Sequence, residues 1–214
     1  MQSRGPGLGM GDAVEIAEYD PAWPDAYERE RAAILEALGD LVFAIEHVGS
    51  TSVPGLGAKP IIDIMIGLRD LAEHARCVPP LQSLGYEHKG EFGIPGRHYF
   101  RRPVRGPRTH QLHMVEHGRD FWVRHLLFRD YLRRNPDEAA AYQRLKLRLA
   151  ARFGSDVEGY TEAKAEFIES AVAKAKARTT FDLAGQASAC RQPEACLPVG
   201  RADPPRSAQA GGER

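Results

Sequence analysis

The period of the apolar residues changes along this chain. Alternation and short unbroken apolar runs dominate up to residue 116, and helical spacing dominates after it. Residues 14–19 alternate and read as a short strand. Pro24 then stands near a helix start, where its missing N–H costs nothing, and Tyr27, Ile34, Leu35 and Leu38 follow at helical spacing. Residues 41–48 are β-branched and aromatic and predict a strand. Residues 61–68 are apolar at nearly every position except Asp63, the pattern of a strand buried on both faces in the middle of a sheet. Asp70 is placed to cap a helix beginning at Leu71, which Pro79 and Pro80 should interrupt. Residues 86–89, 97–102 and 109–116 read as strands, separated by a Gly- and Pro-containing turn at 90–96 and a loop at 105–108.

Three apolar stripes follow: Phe121, His125, Phe128 and Leu132; then Tyr142, Leu145, Leu149 and Phe153; then Val157, Tyr160, Lys164, Phe167 and Ala171. Asn135-Pro136 ends the first helix and starts the second, and the short connections predict antiparallel packing. Mixed elements followed by helices give an α+β fold, a mixed β-sheet covered on one side by C-terminal helices.

With 214 residues and 43% hydrophobic content, the chain is long enough for one packed domain. We place a flexible Gly-rich leader at 1–12, the domain at 13–177, and a tail at 178–214 too poor in large apolar side chains to order itself. Lys plus Arg equals Asp plus Glu, 29 each, so no global field draws the chain to nucleic acid or to a membrane surface. No apolar run reaches the roughly 18 residues of a membrane span, and the N-terminal residues lack a signal peptide's apolar core. Cys77, Cys190 and Cys196 form no disulfide framework, which points to a reducing, cytoplasmic compartment.

Candidate chemistry concentrates between the second and third predicted strands. Gly49-Ser50-Thr51-Ser52 follows an apolar strand, with Lys59 shortly after. Small hydroxyls and close-approaching backbone suit phosphate oxygens, although Ser and Thr also open helices as N-caps. A Walker loop is excluded, because Lys59 stands between Ala58 and Pro60. Asp63, inside an apolar strand, needs a compensating partner: a metal or substrate in one reading, Lys59 or an arginine in the other. On the 109–116 strand, His113 and Gln111 share one face and His110, Leu112 and Glu116 the other, and His113 is expected to face Asp63. There it could ligate a metal, donate to phosphate or shuttle a proton, unless it is a half-buried hydrogen-bonded side chain. Arg97, Arg101, Arg102 and Arg108 lie near this strand, with Arg101 our candidate phosphate contact. Lys164 falls on an apolar stripe, where it points either at the phosphate or at Asp63.

The segment His47 to Ile66 resembles the signature of the GrpB-like family of small bacterial proteins, which is similar to the nucleotidyltransferase superfamily. Residues 18–24, 109–115, 128–132 and 160–168 also match, and the resemblance extends from residue 14 to about residue 173. It implies a polymerase-beta-like core, a nucleotide or phosphorylated small molecule as ligand, and Mg²⁺ on Asp63, with His113 or Glu116 completing the shell. Gly49-Ser50 and Asp63 fit the superfamily pattern, whereas Met65 holds the seat of its second acid. Two readings therefore stand open. One is a Mg-dependent nucleotidyl or phosphoryl transferase. The other is a degenerate member that binds a ligand or serves a protein partner, as fusions of GrpB-like domains to dephospho-CoA kinase imply.

Overall fold

The computed structural model describes residues 15–189, with side chains up to residue 178. Its first compact unit, which closes at Lys176, is built on a five-stranded mixed sheet. The strands are β1 (Ala44–Val48), β2 (Ile62–Leu68), β3 (Glu87–His88), β4 (Arg97–Arg102) and β5 (His110–Glu116), in the spatial order β1-β2-β5-β4-β3. β2 and β5 run parallel, and the other neighbouring pairs are antiparallel. β2 lies between β1 and β5 and is almost wholly buried, as its unbroken apolar run predicts.

The two faces of the sheet differ in use. Ile62, Ile64, Ile66, Leu112, Met114 and Phe100 pack on one face against α1 (Trp23–Leu38) and α2 (His74–Ser83), forming the main core. On the other face Val48, Met65 and Val115 meet Trp122 of α3 (Asp120–Arg134). A further cluster joins α3, α4 (Pro136–Phe153) and α6 (Ala165–Ala189) around Tyr131, Leu132, Tyr142 and Ala171, with Val53 and Leu56 from the loop after β1. Asp63, Gln111 and His113 belong to this second face, in a part that no apolar cluster covers. Among the described residues no helix is long and apolar enough to cross a membrane.

Four expectations need correction. The strand expected at 14–19 is, within its described part, one bridge: Ala17 exchanges two hydrogen bonds of 2.9 Å with Ala58, so the segment pairs with a loop rather than with the sheet. Pro79 and Pro80 do not interrupt α2. The carbonyls they leave without a donor belong to Ala75 and Arg76, which are exposed and open to water, while Cys77 and Leu81 anchor the helix in the core. The third stripe is two helices, α5 (Val157–Glu162) and α6, parted by a turn at Ala163 and Lys164. Finally, α6 runs on to Ala189, past residue 178 where the tail was expected to start. The leader 1–12, Cys190 and Cys196 lie outside the described residues.

Candidate functional site

Val48, the last residue of β1, stands directly opposite Asp63 of β2, so the chain leaves the sheet at Gly49 beside that carboxylate. Gly49 has φ +70° and ψ −173°, a conformation open essentially to glycine alone. Its bare Cα also makes room for Asp63: a Cβ there would stand 2.8 Å from Asp63 Cγ. The Gly-Ser corner and the strand acid are therefore in direct contact.

The corner continues as a single 3-10 turn, Ser50–Ser52, too short to present a helix N-terminus. Two of its hydroxyls are already committed. Ser52 Oγ donates to Gly49 O at 2.6 Å, and Thr51 Oγ1 donates to Ile61 O at 3.3 Å. Because the Thr51 proton is used, His47 Nε2, 3.0 Å away, is the donor to Thr51 Oγ1. Burial first, then Arg133 and Arg129, push His47 down to about 4, so its ring is neutral at pH 7. Of the expected hydroxyl grip Ser50 lines the cavity, its hydroxyl hydrogen-bonded to the buried Tyr142 phenol.

Asp63 lies at the floor of a cavity of about 410 Å³ that Ser50, Lys59, Tyr99, Arg108, Gln111, Tyr160 and Lys164 also line. Its side chain keeps 18% exposure, so the carboxylate opens into the cavity rather than being sealed in the core. A directed chain of hydrogen bonds ends on it. Arg108 Nη1 donates to Tyr99 Oη (3.2 Å), Tyr99 donates to Gln111 Oε1 (3.0 Å), and Gln111 Nε2 donates to Asp63 Oδ1. Burial pushes the Asp63 carboxyl up to about 6, opposed by the Gln111 hydrogen bond, then by Lys164 and Arg108. His113 Nε2 is 4.0 Å from Asp63 Oδ1, on the expected face. Burial, then His125 and Arg97, hold His113 well below the usual histidine range, which makes it a neutral neighbour. Above the floor, Arg97 Nη2 donates to the carbonyls of Glu91 (3.0 Å) and Phe92 (2.9 Å), fixing the 90–96 turn so that Phe92 stacks on Tyr99 at the rim.

Another part of the lining is cationic. Lys164 Nζ and Lys59 Nζ both lie over the Tyr160 ring, 4.2 and 5.2 Å from its centroid. Lys146, 2% exposed, donates to Gly57 O behind them. Burial, then Lys59, lowers Lys164 to about 8, with Asp63 opposing, and burial, then Lys164, lowers Lys146 to about 7. Burial, then Arg108, lowers Lys59 as well. These amines repel one another in a partly dry space and, among the described residues, form no side-chain ion pair.

Of the sequence candidates, the fold brings Gly49, Ser50, Lys59, Asp63, His113 and Lys164 to one place. Arg101 does not join them. It shares a sheet face with Gln111, but its guanidinium turns outward to Glu87 (2.6 Å), and Arg108 takes the place by the cavity. Glu116 points to the opposite face, as the strand period predicts, and pairs with Arg119 at 2.8 Å. Asp63 makes no ion pair with Lys59 or an arginine among the described residues, so neither expected structural partner neutralises it. Sequence reasoning missed Lys146 and Tyr99. Lys146 had left a signal, since it falls four residues after Tyr142 on a buried helical stripe.

The donor set does not fit a protein-held Mg²⁺. No group of three His, Cys, Asp or Glu side chains among the described residues is placed to hold a metal. Met65, at the second acid's seat, is fully buried in the apolar cluster with Val48 and Trp122. One carboxylate surrounded by lysines is a poor cage for a dication. A larger groove of about 740 Å³, between the loop at 54–56 and α4, is mostly apolar, and Arg133 beside it is occupied by Ser52 O at 2.7 and 2.9 Å. We therefore place the candidate site in the smaller, charged cavity.

The family model described as "GrpB protein" matches residues 13–174. The chain is 40% identical over 163 residues to UPF0157 protein YqkA of Bacillus subtilis, covering 76% of this chain and 47% of that protein, so it spans about half the length of that relative. A crystal structure of conserved protein GrpB from Enterococcus faecalis superposes with a TM-score of 0.71 at 36% identity, covering 77% of this chain and 99% of that one. A partial likeness, 28% identical, covers 76% of this chain and 46% of a dephospho-CoA kinase from Mycolicibacterium paratuberculosis.

Proposed function

The chain belongs to the GrpB family, and on that footing we propose that its cavity binds the phosphate groups of a nucleotide or another phosphorylated small molecule. One observation carries this reading. Lys59, Lys146, Lys164 and Arg108 converge on a partly desolvated cavity beside Ser50 and Gly49. Burying a surplus of like charge is costly, which is why Lys146 and Lys164 hold their protons less tightly, and a bound anion would relieve that cost. The chain as a whole is neutral, so this attraction is local and selects a small ligand that fits inside. The resemblance of the Gly49-Ser50 corner and Asp63 to nucleotidyltransferases supports group transfer as the finer reading. Phosphoryl or nucleotidyl transfer needs chiefly positioning and charge neutralisation, which lysines and arginine can supply.

Thermal unfolding of the full chain with ATP, GTP, CTP, UTP and pyrophosphate tests the binding claim. A ligand at about one hundred times its Kd should raise Tm by roughly 5–10 °C. Lys164→Gln should remove most of that rise. A flat response to every phosphate compound would end this reading, and product analysis after incubation separates turnover from binding. The partial likeness to a dephospho-CoA kinase favours a second reading, an accessory domain that serves a partner's folding. In that case no phosphate ligand would shift Tm, while mixing with such a kinase would raise the kinase's soluble yield.

A further inference from the structure

We propose that the cavity takes its phosphate ligand without a divalent metal, with Lys164 and Lys59 supplying the positive charge that a metal-dependent site draws from its cation, so that the ligand class is a free di- or polyanionic phosphate rather than a magnesium–nucleotide complex. This rests on the reading of the cavity as a phosphate site and specifies the form in which the phosphate arrives.

Three observations converge on it. The first is the use of Asp63. One of its oxygens accepts from Gln111, whose amide is oriented by the Tyr99–Arg108 relay, and a Gly49 Cβ would run into the other. One oxygen is thus already engaged by Gln111 and the other lies against the Gly49 backbone, so a single carboxylate, partly used, is what the protein offers a cation. The second is the neighbourhood. Asp63 is the one carboxylate on the floor, and its electrostatic partners are Lys164 and Arg108. His113 offers a nitrogen 4.0 Å away, but Arg97 and His125 are the charged and titratable groups behind it. Glu158 and Glu162 line the rim from α5 but are exposed and, among the described residues, form no ion pair with the lysines. The third is the position of the amines. Two ammonium groups, 4.2 and 5.2 Å from the centroid of one tyrosine ring, line the same cavity as Ser50 and Asp63, and ammonium groups bind phosphate oxygens directly as point charges. A dication entering here would meet like charges first, whereas a phosphate dianion would relieve their repulsion.

Asp63 therefore has the opposite sign of effect from a metal ligand: it repels the ligand's charge and orients the floor. The test is isothermal titration of the full-length protein with inorganic pyrophosphate at pH 7.5, once with EDTA and once with excess Mg²⁺. Binding should be at least as tight in EDTA, because Mg²⁺ competes for the anion. Asp63→Asn, which keeps an oxygen for Gln111, should bind pyrophosphate roughly fivefold tighter, the size of one unit-charge repulsion at a few ångströms in a water-like dielectric. Lys164→Gln should weaken binding roughly tenfold and Lys164→Arg should restore most of it, as expected for a charge-assisted contact. Circular dichroism and melting of each variant check that it folds. Pyrophosphate binding that requires Mg²⁺ and is lost in Asp63→Asn would overturn the metal-free site and leave the phosphate reading standing. No binding under either condition would remove both.

Discussion

Replacing Gly49 by alanine probes the contact on which the site is built. Two costs add at this position. The backbone, at φ +70° and ψ −173°, lies where an L-residue is strained, which costs about 1–3 kcal/mol. The new Cβ would also stand 2.8 Å from Asp63 Cγ and 2.9 Å from Asp63 Cβ, and forcing an extra methyl into packed surroundings costs about 1–3 kcal/mol more. The expected loss is therefore about 2–6 kcal/mol, a large share of the roughly 5–15 kcal/mol that holds an ordinary domain. Urea unfolding at pH 7.5 measures it. Gly55 supplies the control: its φ is +76° but nothing lies within 4 Å of a Cβ there, so Gly55→Ala should show strain without the clash. A double-mutant cycle with Asp63→Gly, which removes both clashing carbons, should recover the steric part and leave the backbone part. If Gly49→Ala costs no more than Gly55→Ala, or if Asp63→Gly leaves its cost unchanged, the glycine is not there to admit the carboxylate, and the corner-and-acid account of the site is wrong.

Two further outcomes follow from buried titrating groups. His47, 7% exposed and held near 4 when folded, binds its proton far more readily in the unfolded chain, whose value is near 6.5. Stability should therefore be complete above pH 6.5 and fall as pH drops toward 4, by about 3 kcal/mol from this residue; urea midpoints at pH 7 and 4.5 should differ less in His47→Gln, and an unchanged slope would contradict the assignment. Lys146 and Lys164, lowered to about 7 and about 8, release protons that the unfolded chain retains up to about 10.5. Stability of the ligand-free protein should thus rise from pH 7 to pH 9, less steeply in Lys146→Met, and a fall over that range would refute the burial of these amines.

The sequence by itself determined the elements whose signals are local. An apolar run interrupted by one acid made β2 an interior strand carrying Asp63. The strand period put His113 and Gln111 on one face and Glu116 on the other. Asp70 caps the turn after β2 through Ala72 N–H at 2.8 Å, and Pro136 opens α4. Only the tertiary structure decided which of several equivalent side chains reaches the cavity. Arg101 lies on the correct face, yet Glu87 on the neighbouring strand captures it, and Arg108 from a loop supplies the charge instead. Thr51 and Ser52 have the right chemistry, but the carbonyl of Ile61, just before β2, and that of Gly49, at the start of the turn, take their protons. Lys146 on α4 and Lys164 in the turn after α5 meet Lys59 only because those segments fold back over the sheet. Periodicity fixes the direction in which a side chain leaves the backbone. Its nearest donor or acceptor is fixed by residues tens of positions away, and in a half-dry cavity that neighbour decides both its charge and its availability to a ligand.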